Sequence, residues 1–469
     1  MPTTDPGRLA ADLARRLVVA LDFAGRVVDD IESAAIGRGT ASSAFGAGAG
    51  ADAGGLAAKV VAETAMLLHV AAPLRTAWRD VDAAVGALAE RLIPLARGAD
   101  VQAALCMDPS NAMDHSMGHV LIGDLGHRDP SFDELLRASL RTGRAQRPER
   151  LPHRTLEHEW LERIWPFGMP SPRAHASALA ASALGRPLDV LQASRTDIYA
   201  LTHAVLYASD AGRRPLVASR RRADIGADAA AALGFALDTH DHDLAAEVLW
   251  AWPMLGLRWQ PAALFAFGRL AEVQDALGFL PGKGFDPERT EGVPSGQARR
   301  HILSSCYHAT YVFGFLCAAM LMPNRLPPAA LLGRKPGGRR GADGGAGSGA
   351  AMLAVLNMDD PRSAWCSGLS RQSGERQDEV APLLLAVALR RAAEQGDLDA
   401  LRRTLRAAQA AGLEGGPAPA QAAALLMRGQ LLAQLLSKSH GHSAVHGAQA
   451  IGGDASRAVE EPVQTAVRP

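Results

Sequence analysis

The stretch Asp197-Ile-Tyr-Ala-Leu-Thr-His-Ala-Val-Leu-Tyr-Ala-Ser-Asp210 decides how this chain is read. Tyr199, His203 and Tyr207 recur at steps of four, and Asp210 follows three residues later. On an α-helix these four side chains share one face. Apolar residues fill most other positions, so the helix reads as buried and its polar stripe as turned inward. A second stretch, His301-Ile-Leu-Ser-Ser-Cys-Tyr-His-Ala-Thr-Tyr311, repeats the pattern. It sets His301, Ser304 or Ser305, His308 and Tyr311 on one face, with Cys306, Tyr307 and Thr310 beside them.

Buried polar groups need partners, so such stripes have two readings. One is a hydrogen-bonded core network that fixes helix register. The other is the wall of a polar cavity. In the second reading His203, Asp210 and His308 are the catalytic candidates. His203 moves protons, Asp210 sets its tautomer, and His308 with Tyr307 holds the substrate. Tyr199, Tyr207 and Thr310 complete the substrate-binding set.

Working outward, the remaining sequence points to helices. Of its 469 residues 48% are hydrophobic and only 5% aromatic, and alanine is abundant. Alanine is the best helix former, and no strand run of convincing length occurs. Three short polar turns separate amphipathic segments: Gly126 to Pro130, Asp238 to Asp243, and Glu394 to Asp397. Turns of this kind join antiparallel αα-hairpins. Helices are expected near 224–237 and 243–256, and near 378–393 and 398–411. The expected fold is all-α, a set of antiparallel αα-hairpins forming an α/α toroid or a helical solenoid. The expected organisation is an N-terminal helix (1–36), a flexible Gly/Ala/Ser-rich loop (37–55) and a main helical domain (56–330). A disordered Gly/Arg-rich insertion (331–350), C-terminal helical hairpins (351–437) and a disordered tail (438–469) follow.

Several function classes find no support. Lys plus Arg and Asp plus Glu both number 49, so nothing argues for a nucleic-acid or anionic-membrane partner. The N-terminus lacks the pattern of a signal peptide, and the longest apolar run, 311–322, is short for a membrane span. Four cysteines do not make a disulfide framework, so the expected location is the cytoplasm. No nucleotide-binding glycine loop and no Gly-x-Ser-x-Gly elbow occurs. His115 and His119, His153 and Glu157, and His240 and His242 with Asp238, Asp241 and Asp243 are paired at ligand-like spacings. None matches a zinc signature, and the last group reads as a solvated helix cap. No metal and no cofactor are therefore expected. The segment 148–165 reads as an amphipathic packing helix.

Four elements carry a family resemblance: Asp-Leu-Gly-His-Arg-Asp-Pro-x-Phe-Asp (124–133), Glu-Arg-Leu-Pro-x-x-x-Leu-Glu-x-x-Trp-Leu (149–161), Thr-His-x-x-x-Tyr-x-x-Asp (202–210) and Tyr-His-x-Thr (307–310). Together they resemble an uncharacterised all-helical family of actinobacterial proteins. The resemblance implies a bacterial cytoplasmic protein associated with natural-product gene clusters, and carries no activity. Ala364-Trp-Cys-Ser-Gly368 with Cys306-Tyr-His308 is also similar, over a few residues in reversed order, to the zinc-ligand motifs of lanthionine-synthetase cyclases. That likeness would imply Cys306, His308 and Cys366 as ligands.

The expected function is an accessory protein of bacterial specialised metabolism, an enzyme acting on a small molecule or peptide in a His/Tyr/Asp-lined pocket. The alternative is a non-catalytic helical-repeat scaffold that binds a peptide or partner protein.

Overall fold

A computed structural model describes residues 5–36, 52–143, 149–332 and 347–447. Among these the regular structure is α-helix and short 3-10 turns, with no strand. Residues 37–51, 333–346 and 448–469, on which three of the expected disordered segments largely fall, lie outside the described residues. The last helix, Pro417–Gly447, runs past the point where the tail was expected to begin.

The organising element is the helix Ser295–Leu321. From Leu303 to Met320 nearly every residue is buried, because neighbours cover it on all sides. The helices Pro6–Ile36, Asp52–Ala71 and His242–Leu249 all pack against it. Gly314 makes the closest approach possible: a Cβ there would stand 2.7 Å from Ala20 Cβ and 3.2 Å from Leu67 Cδ1. The N-terminal helix is thus part of the main core. Two helices, Leu56–Leu74 as an apolar stretch and Ser295–Leu321, are long and apolar enough to cross a membrane by length and hydropathy. Within this fold their apolar windows are 56% and 78% buried against protein.

The short turns form as their residues dictate. Gly126 takes φ +102°, and Asp129 Oδ1 then accepts from the amides of Ser131 and Phe132 to start the helix Pro130–Gly143. Asp241 Oδ1 accepts from Leu244 N at 3.0 Å to start His242–Leu249, directly after Arg222–Asp238. Asp397 caps Leu398–Ala410 after Gly374–Glu394. Each of the latter two pairs packs across its turn. One expected helix is split. The 243–256 segment breaks at Trp250 into His242–Leu249 and Ala251–Leu255, because Pro253 has no N–H to offer the carbonyl of Leu249. The C-terminal hairpins lie on Arg222–Asp238 and Pro261–Leu277.

The carboxylates around His240 are not a solvated cap. Asp238, Asp241 and Asp243 are 5%, 1% and 6% exposed. Asp238 pairs with Arg391, and Arg195 bridges Asp241 and Asp243. The packed C-terminal hairpins and the neighbouring helix remove the water that the sequence pattern suggested.

Candidate functional site

The helix Arg195–Ser209 is fixed at its start by a capping box. Ser194 Oγ accepts from Asp197 N, and Asp197 Oδ2 accepts from Ser194 N at 2.8 Å. This sets the rotation of the helix, and with it the direction of Tyr199, His203 and Tyr207. All three line one cavity of about 210 Å³. His308, Tyr311, Val312 and Phe315 enter from Ser295–Leu321, Glu63 and Met66 from Asp52–Ala71, and Arg154 and Glu157 from Pro152–Ile164. Lys59, 56% exposed, stands at the rim.

The wall is a chain of polar contacts. Tyr199 and His203 stack with ring centroids 3.6 Å apart. His203 Nδ1 lies 3.1 Å from the Tyr199 carbonyl, an acceptor only, so Nδ1 carries the proton and Nε2 is left with a lone pair. Burial, with the Arg154, His308 and His153 charges behind it, pushes His203 well below the ordinary imidazole range. Tyr207 Oη donates to Glu157 Oε1 at 2.6 Å, and Arg154 Nη1 donates to Glu157 Oε2 at 2.7 Å. Burial raises Glu157 despite Arg154, and it raises the phenols of Tyr199 and Tyr207.

His308 is in the opposite state. Its Nδ1 lies 3.1 Å from Glu63 Oε2, and its Nε2 lies 3.6 Å from Asp243 Oδ1 and 3.7 Å from Glu247 Oε1. Burial works against its charge, but the surrounding Asp243 and Glu63 carboxylates raise it well above the ordinary value. One cavity therefore holds a neutral imidazole with a free acceptor and a second imidazole set as a positive centre. A larger, shallower cleft of about 490 Å³ lies behind His153, whose ring is 6.4 Å from that of His203. Burial pulls His153 down to about 4.

Of the residues expected from the sequence, Tyr199, His203, Tyr207 and His308 meet at this cavity. Asp210 does not orient His203. It ends the helix with φ +51°, accepts from Trp160 Nε1 at 2.7 Å, and pairs with His69 at 3.4 Å. The ideal helical face ends with the helix at Ser209, and the left-handed turn at Asp210 sends its side chain elsewhere. Thr310 accepts from Leu280 N at 3.1 Å and donates to the Cys306 carbonyl at 2.8 Å, a packing role inside the core. Tyr307 sits beside His308, ring centroids 6.2 Å apart, without lining the cavity. The cyclase-like ligand set does not assemble: among the described residues no potential metal group joins Cys306, Cys366 and His308.

Sequence reasoning does not find Glu63, Arg154, Glu247 and Trp250, and it shows Glu157 and Asp243 only as neighbours of His153 and of the His240 turn. The helix Pro152–Ile164 was read as charged on its solvent side, yet His153, Glu157, His158, Glu159 and Glu162 are all buried. Nothing local marks them. Their burial comes from Pro172–Ala181 and Arg195–Ser209 packing over them.

Residues 34–318 match DUF6895, a domain of unknown function. The chain belongs to this family. The DUF6895 region covers the four resembling elements and every residue of the cavity, while the helix Pro6–Ile36 and the C-terminal hairpins fall almost wholly outside it. No curated protein and no solved structure matches the chain.

Proposed function

We propose that this protein is an accessory enzyme of bacterial specialised metabolism, working in the cytoplasm on a small molecule held in the cavity. The observation that carries the reading is the pairing of two differently set imidazoles on one cavity wall. His203 offers a lone pair on Nε2, and His308 supplies a positive centre among carboxylates. Environments that push two titratable groups apart in one cleft are how acid and base roles are divided. In this reading His203 takes a proton from the substrate and His308 steadies the charge that develops. Tyr199, Tyr207 and the Glu157–Arg154 pair orient the bound molecule. A buried cavity also favours a helical array closed around its site over an open solenoid, and the actinobacterial setting comes with the resemblance alone.

A second reading has one observation in its favour. Met427, Leu431, Leu432 and Leu435 of the last helix are 67%, 56%, 59% and 54% exposed. Such a patch suits a protein partner.

The test is metabolite profiling of the host with its gene deleted. Wild-type protein restores the lost compound, and His203→Gln does not, while its circular dichroism and thermal midpoint stay near wild type. Full restoration by a folded His203→Gln protein would remove the enzyme reading.

A further inference from the structure

Asp243 and Glu247 stand one turn apart on the helix His242–Leu249, and both are buried, 6% and 0% exposed. On each, one oxygen is held from outside. Asp243 Oδ2 accepts from Arg195 Nη2 at 2.8 Å, and Glu247 Oε2 accepts from Thr202 Oγ1 at 2.6 Å. The remaining oxygens, Asp243 Oδ1 and Glu247 Oε1, are shut off from solvent and meet no hydrogen-bond donor. Both face His308 Nε2, at 3.6 and 3.7 Å. The three inward atoms lie within 4.8 Å of one another.

Two bare carboxylate oxygens in a buried place are costly. A proton on His308 Nε2 cannot serve both. Even where it is shared between the two, its nitrogen stands 3.6 and 3.7 Å from them, well beyond the roughly 2.7–2.9 Å of a charge-assisted N–H···O bond. A divalent cation can serve both. Bonds of about 2.0–2.2 Å place neighbouring ligand atoms about 3–3.6 Å apart, and His308 Nε2 stands 3.6 and 3.7 Å from the two oxygens. The outward contacts are those a metal site requires. Glu63 accepts from His308 Nδ1–H, so that Nε2 is the nitrogen whose lone pair a cation can take in place of a proton, while Arg195 and Thr202 fix the two carboxylates.

We propose that Asp243, Glu247 and His308 form a binding site for one divalent first-row transition cation at the edge of the cavity. Two carboxylates and one imidazole suit manganese, iron or zinc better than an all-oxygen ion such as calcium. Three protein ligands leave positions for water or a substrate oxygen. The ion would take the place of the proton on His308 as the positive centre facing His203. That use of the ion rests on the reading of the cavity as a reaction site; the binding of the ion does not. Local spacing could not find this set, because His308 comes from a distant helix and Asp243 looked like part of a turn.

Equilibrium dialysis of the full chain against Mn²⁺ or Zn²⁺, followed by elemental analysis, tests the site. One ion per chain is expected. Asp243→Asn and Glu247→Gln each weaken binding at least tenfold. Thr202→Val, which removes the hydroxyl that holds the outer oxygen of Glu247 and also lies near the Tyr199 carbonyl and His203 Nδ1, weakens it by about tenfold and serves where a ligand variant fails to fold. Co²⁺-loaded protein shows visible absorption bands that change in His308→Gln. Tyr207→Phe alters the cavity wall and none of the ligands, and it keeps the ion. Absence of a stoichiometric ion in the wild-type protein overturns the proposal, as does binding unchanged in both carboxylate variants. An ion that binds as expected, with full metabolite restoration by His203→Gln, keeps the metal site and removes the reaction.

Discussion

Arg391 shows at the scale of one residue what burial does to a charge. Its Nε lies 3.0 Å from Asp238 Oδ2, its Nη2 pairs with Asp238 Oδ1, and its Nη1 donates to Ser363 Oγ at 3.1 Å. Both partners are under a tenth exposed. Removing one leaves the other charge stranded, whereas removing both strands neither. Arg391→Met is therefore expected to lower stability by roughly 3–5 kcal/mol. The double variant Asp238→Leu/Arg391→Met should recover much of that loss in urea titrations. Equal loss in single and double variants would show that packing, not the unpaired charge, sets the cost. Asp238 was visible in the sequence only as one of several carboxylates in a turn. The partner that buries it lies on another hairpin, so its role could not be read locally. The same holds at the cavity. His203, Tyr199, Tyr207 and His308 were visible because they interrupt apolar helices, while Asp243 showed only as one acid of a turn and nothing local sets Glu247 apart.

At the scale of the element, helix spacing is set by small residues. Gly314 faces Ala20 and Leu67 where the helices Ser295–Leu321, Pro6–Ile36 and Asp52–Ala71 meet. Alanine has better helix propensity than glycine by about 1 kcal/mol. Here that gain is opposed by a Cβ placed 2.7 Å from Ala20 Cβ. Overpacking of a tight core costs about 1–3 kcal/mol, so Gly314→Ala should be net destabilising. Thermal unfolding measures the sign. A more stable Gly314→Ala protein would mean that the two helices can separate at no cost. Helix identity and the turns that end in Asp129, Asp241 and Asp397 were readable from the sequence, because these side chains act on amides two or three residues away. Which helices touch was not readable, because a glycine in an apolar run does not name the residue it admits.

At the scale of the whole molecule, burial acts on many histidines together. His119, His153, His175, His203 and His242 are all held below the ordinary imidazole value, each first by burial. The unfolded chain binds protons at these sites from about pH 6.5 downward, where the folded chain does not. Stability is therefore lost as pH falls from about 6.5 toward 4. His308, raised by its carboxylates, works the other way: its contribution is present below about pH 6.5 and is lost as pH rises through its folded value. Asp30, Glu157 and Glu247, all raised by burial, also favour the folded state on acidification. The five histidines have their unfolded protonation inside this window, whereas Asp30 and Glu157 start from carboxyl values below it, so the urea midpoint should be lower at pH 5 than at pH 7. A higher midpoint at pH 5 would show that the His308 cluster dominates. The sequence alone determined the all-helical class, the positions of the main turns and the two polar stripes, because periodicity and capping act within a few residues of the chain. The tertiary structure alone decided which stripe residues share a cavity, that Asp210 turns away, and that Glu63, Asp243 and Glu247 gather around His308. Those outcomes depend on burial and on distances between helices far apart in the chain, and no local pattern of residues specifies either.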